Sequence, residues 1–431
     1  MKTRIVILTI ILAAGIASIV SAAPVESFTV NGLKVVFARN TSTEIVAVNM
    51  YFRGGTAVLD PRLAGIETMA LAVATEASKN YPKDRLHAAL ERMDSRLGSN
   101  ATSDYSSVTL QCVRKNLAES WKIFTDVLMN PAFEAADVEL QRNRTLSAIK
   151  QSHDNPDQYL QDLATRAFYS RQPYETAVQG TETTVGKFTP AELRSYLKGR
   201  LTSSNLLLVV VGNLTKEELE SMVKASFGSI PAGAYTGAIP PAVRHEQPSM
   251  KIVRKDLPTN YITGLFPVPM LGTPDGYAMR IAISILGHRL FEEVRTKRSL
   301  SYAPAAYLGP NFSNYGAIYV TAVSPDTTIK VMLHELRRLQ DEPVPAKELR
   351  DMMNQFLTGY YLNMETNASR AETLARYELV GAGYEEAAKF MDRVKAVTAE
   401  SIQGVCRASM HNLQYVLIGN PVMLQIGALM Y

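Results

Sequence analysis

Apolar and polar residues alternate through Phe28-Thr29-Val30 and again through Leu33-Lys34-Val35-Val36-Phe37, with Asn31-Gly32 between the two runs. Alternation with period two buries one face of a strand, and Asn-Gly supplies the positive φ angles of a type I′ turn, so the stretch predicts a β-hairpin. A further strand is predicted from Ile45 to Phe52. Val113, Leu117, Trp121, Phe124 and Leu128 recur instead at helical spacing and predict an amphipathic helix, with the single Trp on its core face.

The pattern is written twice. Lys187-Phe188-Thr189-Pro190-Ala191-Glu192-Leu193 leads to the apolar run Asn205 to Val211 and then Gly212-Asn213. Ala396-Val397-Thr398-Ala399-Glu400-Ser401-Ile402 leads likewise to Asn412 to Ile418 and Gly419-Asn420. The offsets are 398 − 189 = 209 and 419 − 212 = 207. Each copy predicts a helix opened by a Thr N-cap and a capping-box Glu, followed by a strand closed by Gly-Asn. Upstream, Pro131 to Val138 answers Pro343 to Leu349. A duplicated α+β unit follows. The fold class is therefore two homologous lobes, each a mostly antiparallel sheet packed with helices.

Between the copies, Ser229 to Pro241 is rich in Pro, Gly and Ala and breaks every periodicity, which reads as a strap. The expected division is an N-terminal lobe at 24–228, a linker at 229–246 and a C-terminal lobe at 247–431. Two lobes on such a strap are expected to close like a shell.

Lys2 and Arg4 precede an apolar run from Ile5, and small residues follow at Val20-Ser21-Ala22, the layout of a secretory signal peptide over residues 1–22. Its removal lowers the formal charge from +4 to +2, which argues against a nucleic-acid or membrane-surface role. About 400 remaining residues exceed one ordinary core. The two cysteines, Cys112 and Cys406, fall in different lobes and read as small core residues.

Gly54-Gly55-Thr56-Ala57, the turn Asp60-Pro61 and the helix Gly65-Ile66-Glu67-Thr68-Met69-Ala70-Leu71-Ala72 resemble the surroundings in which the pitrilysin/insulinase peptidase family carries its inverted H-x-x-E-H motif. The resemblance extends to the hairpin, the strap and both Gly-Asn strands. In active relatives two His and a distal Glu hold zinc, and the Glu inside the motif activates water; helical spacing of i and i+4 brings both imidazoles to one metal. Laid on this chain, the pattern puts the first His at Thr68, the base at Leu71, the second His at Ala72 and the distal Glu at or next to Ala148. None carries the required group, so no metal is expected on this chain. Glu67 and Glu76 are expected to be solvated helix charges. His334-Glu335-Leu336-Arg337-Arg338 lacks the second His of H-E-x-x-H and reads as a surface charge cluster. No G-x-S-x-G elbow or Walker loop is present.

The second lobe keeps what the first has lost. Arg289 to Tyr302 resembles the family segment that supplies an Arg and a Tyr to the cleft, here Arg295 and Tyr302, although it is entered without the extra Gly and Ser residues of many relatives. A fixed guanidinium and a phenol can hold a peptide carbonyl and stabilise oxyanion charge. The alternative pairs Arg295 with Glu292 and leaves Tyr302 at the edge of the core. Leu97 to Tyr105 resembles the edge strand on which relatives lay an extended peptide, with Asn100, Ala101, Thr102 and Ser103 as the binding positions.

The resemblance implies an exported, non-catalytic, peptide-binding subunit of a heterodimeric zinc metalloendopeptidase. Its partner would be a catalytic subunit bearing H-x-x-E-H and zinc, with no nucleic acid and no stable membrane insertion after signal cleavage. A structural or peptide-holding scaffold, like the related core subunits of respiratory complexes, is the alternative.

Overall fold

The computed structural model describes residues 25–420; the leader read at 1–22 and the last residues of the second lobe lie outside them. The first lobe contains strands β1 Val25–Val30, β2 Leu33–Arg39, β3 Ile45–Arg53, β4 Arg96–Ala101, β5 Tyr105–Val113 and β6 Leu206–Gly212. They form one sheet in the order β1-β2-β6-β3-β5-β4. Its helices are α1 Ile66–Ala74, α2 Lys83–Arg92, α3 Leu117–Met129, α4 Ala135–Asp154, α5 Pro156–Phe168, α6 Glu182–Val185, α7 Pro190–Arg200 and α8 Lys216–Phe227.

The second lobe contains β7 Ser249–Arg254, β8 Asn260–Pro267, β9 Ala305–Leu308, β10 Tyr315–Ala322 and β11 Gln414–Gly419, in the order β7-β11-β8-β10-β9. Its helices are α9 Pro274–Leu290, α10 Pro325–Asp341, α11 Ala346–Asn363, α12 Asn367–Leu379, α13 Phe390–Lys395 and α14 Ala399–Ser409. Strand for strand, β7-β11-β8-β10-β9 repeats β2-β6-β3-β5-β4. In each sheet the Gly-Asn strand is parallel to one neighbour and antiparallel to the other. The duplication predicted from the two Gly-Asn strands is thus a duplication of topology, with β1 added to the first copy.

Local chemistry explains the element ends. Asn31 and Gly32 adopt φ of 47° and 85° and join β1 to β2 by the expected turn. Thr189 and Thr398 cap α7 and α14. In the second copy the capping box is closed by Ser401, not by a glutamate. Val113 ends β5 instead of opening the next helix, and Trp121 is buried in α3 with its indole N–H on Ser226 Oγ at 2.8 Å. Cys112 and Cys406 are free and buried.

Both Gly-Asn strands are buried at every residue, because both sheet faces are covered. Leu206, Leu208 and Val210 of β6 pack against helices of their own lobe. Leu207, Val209 and Val211 face the other way, into a core shared with the second lobe, where α12 lies across β3 and β6. In return, α5 of the first lobe lies across β8 and β11, with Leu160, Ala164 and Phe168 against Val416 and Ile418. The expectation of two lobes free to close on a strap is corrected by this exchange of helices. Residues 231–248, without helix or strand, run along the junction and are bonded to both lobes, through Pro231 O to Ser203 N and Pro241 O to Ser313 Oγ.

The junction also carries polar contacts. Glu372 of α12 accepts hydrogen bonds from Tyr51 and Tyr105 of the first sheet, both buried. Asp104, in the turn between β4 and β5, accepts from the Tyr174 hydroxyl and, at 2.8 Å, from the Phe312 N–H of the second lobe. Burial pushes the Asp104 carboxyl up to about 6.

Two outcomes follow. Glu372→Ala strands two tyrosine hydroxyls, so unfolding by urea is expected to show a loss of about 2–4 kcal/mol. Changing Glu372 to Leu together with Tyr51→Phe and Tyr105→Phe is expected to recover most of that loss. The second concerns pH. Because the folded pKa of Asp104 lies above its unfolded value of 3.8, its contribution is greatest below pH 3.8 and is lost as pH rises towards about 6. Asp104→Asn is expected to flatten the decline of stability across that window, measured by urea unfolding at stepped pH.

Candidate functional site

The helix expected to carry the zinc motif is present as α1, but it is closed off. Gly65, at φ 86°, caps it, and a Cβ there would meet Gln179 O at 2.7 Å, so the loop at 177–180 lies directly on the helix start. Thr68 is half-buried and donates its hydroxyl to Val178 O at 2.6 Å. Leu71 is 1% exposed and packs into the core of the first lobe. Ala72 is half-buried on α1, and Ala148 is exposed on α4, which packs against α1. A hydroxyl already spent, an aliphatic core residue and two methyl groups do not fit a zinc ion. Among the described residues, no three His, Cys, Asp or Glu side chains gather closely enough to hold a metal ion.

Glu67 is not the solvated charge expected. It is 2% exposed, accepts a hydrogen bond from Tyr196 of α7 and lies 3.4 Å from Arg200 Nε, while Arg200 also reaches the Arg53 carbonyl. One carboxylate therefore ties α1 to α7 and to the end of β3. Glu76 sits past the end of α1 in a charge cluster with Lys83 at 3.0 Å and with His87 and Arg144, each at 3.4 Å. Glu335, read as part of a surface cluster, is likewise buried and paired with Arg338 at 2.9 Å, while His334 and Arg337 of that motif are exposed.

The edge strand is β4, which pairs only with β5 and lies beside α1. Asn100 and Ala101 belong to it, and Asn100 is exposed. Thr102 and Ser103 do not form part of an open edge. Thr102 O accepts from Thr56 N at 3.2 Å and Ser103 O from Ala57 N at 2.8 Å, so both are taken up by the turn Gly55–Val58. Gly55 is required at that turn: its φ is 44°, and a Cβ would meet Thr102 O at 2.4 Å. The available edge is Arg96–Ala101.

The second lobe presents a different arrangement at the matching place. Helix α9 continues into a π-helical turn, Phe291–Thr296, and the chain then passes Tyr302 on its way to the edge strand β9. A π turn shifts the side chains that follow it around the helix axis. Arg295 is carried on this turn. Its guanidinium carbon stands 3.9 Å from the ring centroid of Tyr302 and 4.8 Å from that of Phe291. Glu293 is occupied by Lys297 and Arg298, each at 2.5 Å, and among the described residues Arg295 makes no ion pair. Tyr302 is 78% exposed and is no part of a core. The alternative of an Arg295–Glu292 pair with Tyr302 at a core edge is therefore corrected. Stacking uses the faces of the guanidinium and leaves its N–H edges available.

Arg289, six residues before Arg295, is a separate case: it is buried and bound to Glu348 by two contacts of 2.8 Å, which joins α9 to α11. Its guanidinium holds the Glu348 carboxyl below the ordinary glutamate value. Sequence reasoning missed Phe291 as the second stacking ring. Its place four residues before Arg295 on one helical face is the signal that could have revealed it.

Residues 34–182 match the family model described as Insulinase (Peptidase family M16), and residues 187–356 match the one described as Peptidase M16 inactive domain. The chain is 21% identical over 386 residues to the uncharacterized zinc protease YmxG of Bacillus subtilis, covering 88% of this chain and 93% of that protein. It is 21% identical over 344 residues to subunit 1 of the human mitochondrial cytochrome b-c1 complex, covering 79% of this chain and 69% of that protein. Its fold matches a protease from Helicobacter pylori at a TM-score of 0.85 and 16% identity, over 93% of this chain and 100% of that one.

Glu67→Ala removes the carboxylate that faces Arg200 and Tyr196 across the α1–α7 contact. Chemical denaturation is expected to show a loss of about 3–5 kcal/mol, against less than about 0.5 kcal/mol for a solvated helix charge.

Proposed function

This chain belongs to the pitrilysin/insulinase (M16) peptidase family, and on that premise we propose that it is the non-catalytic, peptide-binding subunit of a zinc metalloendopeptidase. Its partner is a catalytic relative bearing H-x-x-E-H, which holds the metal. This chain contributes Arg295 and Tyr302 to a site formed between the two subunits.

The observation that carries the reading is the stack at the end of α9. A guanidinium lying over the rings of Phe291 and Tyr302, with no ion pair among the described residues, is still able to donate. Such a group can bind a substrate carbonyl before bond cleavage and the oxyanion that develops during it, and the exposed phenol of Tyr302 can add a second donor. The matching place in the first lobe offers no ligand for a metal, so reaction chemistry has to come from another chain. The exposed β4 edge, at Asn100 and Ala101, supports the binding of an extended peptide beside it through backbone hydrogen bonds. The interlocking of the lobes supports a chamber built between two chains instead of within one.

Export rests on the basic, apolar and small-residue succession of the leader. Among the described residues no helix is long and apolar enough to cross a membrane.

A second reading, a structural or peptide-holding scaffold, is favoured by the similarity to the cytochrome b-c1 subunit. Turnover separates the two: a purified complex that binds peptides without ever cleaving them would establish the scaffold.

In a reconstituted pair, Arg295→Ala is expected to lower kcat by about 10²-fold, with Tyr302→Phe giving a smaller loss. Neither is expected to move the thermal midpoint of the isolated chain, since Tyr302 is 78% exposed. Unchanged peptide hydrolysis by pairs carrying either variant would remove the assigned roles.

A further inference from the structure

A pocket of ≈ 620 Å³ opens in the second lobe between α9, α11 and α12. This volume lies within the usual range for small-molecule sites. One wall is aromatic: Tyr360 stacks on Phe390 at 4.1 Å, and Phe356 stacks on the same ring at 5.9 Å. Two arginines, Arg280 from α9 and Arg376 from α12, line the same space.

The charges in the pocket are unbalanced. Among the described residues Arg280 makes no ion pair, and burial pulls its pKa below the ordinary arginine value, with Arg376 adding repulsion. Arg376 donates to the Pro310 carbonyl at 3.3 Å, and its buried Nε has no hydrogen-bond partner among the described residues. The carboxylate on the pocket lining, Glu372, already accepts from Tyr51 and Tyr105 of the first sheet. Arg376 is also attracted by the Asp104 carboxyl, so Arg280, beside the aromatic wall, is the guanidinium without an anion of its own. Arginine's planar fork favours carboxylates and other flat anions.

We propose that this pocket binds a carboxylate carried on an aromatic or other apolar body, with Arg280 and Arg376 holding the anion and Tyr360 and Phe390 the body. Arg280 lies 15 residues before Arg295 on one continuous helix, about 20 Å away at the helical rise, so this is a site separate from the Arg295 stack. Its ligand is a free organic acid or the C-terminal residue of a peptide, which share this chemistry.

Calorimetric titration of the full chain with N-acetylphenylalanine and with its uncharged amide tests the proposal. The acid is expected to bind at least about tenfold more tightly than the amide, one charge-assisted contact being worth roughly that factor. Arg280→Met is expected to abolish the difference by weakening only the acid. A pentapeptide with a free C-terminal Phe that binds more tightly than the single residue would assign the site to peptide ends; weaker binding would assign it to small free acids. The proposal is overturned if acid and amide bind alike, if the acid fails to bind up to about 10 mM, or if inorganic phosphate binds as tightly as the acid. The comparison of acid with amide uses the unaltered chain, so a variant that does not fold leaves the test intact.

Discussion

Each sheet of this protein has two apolar faces and too few helices of its own lobe to cover both. The first sheet completes its core with α12 from the second lobe, and the second sheet with α5 from the first. Every residue of β6 and β11 is buried as a result, which is why these strands are apolar along their whole length and do not alternate. The hydrophobic term provides most of the attraction, and the polar contacts set the register: Glu372 between two tyrosines on one side, Asp104 between Tyr174 and Phe312 on the other. The relative placement of every site described above depends on this exchange.

Within that frame the two copies of one topology have diverged. In the first, α1 is nine residues long and lies under the loop at 177–180, with Thr68 tied to that loop and Glu67 turned inward to Tyr196 and Arg200. In the second, the matching helix α9 is longer and ends in a π turn that carries a stacked arginine to the surface. The same architecture has thus become structural at one end and a presenting surface at the other. Thr68, Ala72 and Ala148 lie in one lobe, and Arg295 and Tyr302 in the other.

Much of this was legible in the sequence because it is local. The Asn31-Gly32 hairpin, the Thr N-caps and the repeated Gly-Asn strands are set by neighbouring residues and by periodicity, and the duplication follows from counting. What was not legible depends on contacts far apart in the chain. Glu67 looks like an ordinary helix carboxylate until Tyr196, 129 residues later, comes to meet it. Thr102 and Ser103 look like the continuation of an open strand until the turn at Gly55–Val58 claims their carbonyls. The strap suggested freedom between lobes, and nothing in its composition could reveal that α5 and α12 had already locked them together. Arg295 and Tyr302 are legible through resemblance to a family, whereas Phe291 gains its meaning only where its ring comes to lie 4.8 Å from the Arg295 guanidinium.

The exchange of α5 and α12 also has a consequence for how the chain is made. Strand β6 ends at Gly212 and α12 begins at Asn367, a gap of 367 − 212 = 155 residues. At a synthesis rate of about 5–20 residues per second, the first sheet waits roughly 8–30 s with one greasy side bare. During that interval the nascent polypeptide offers chaperones a broad landing place.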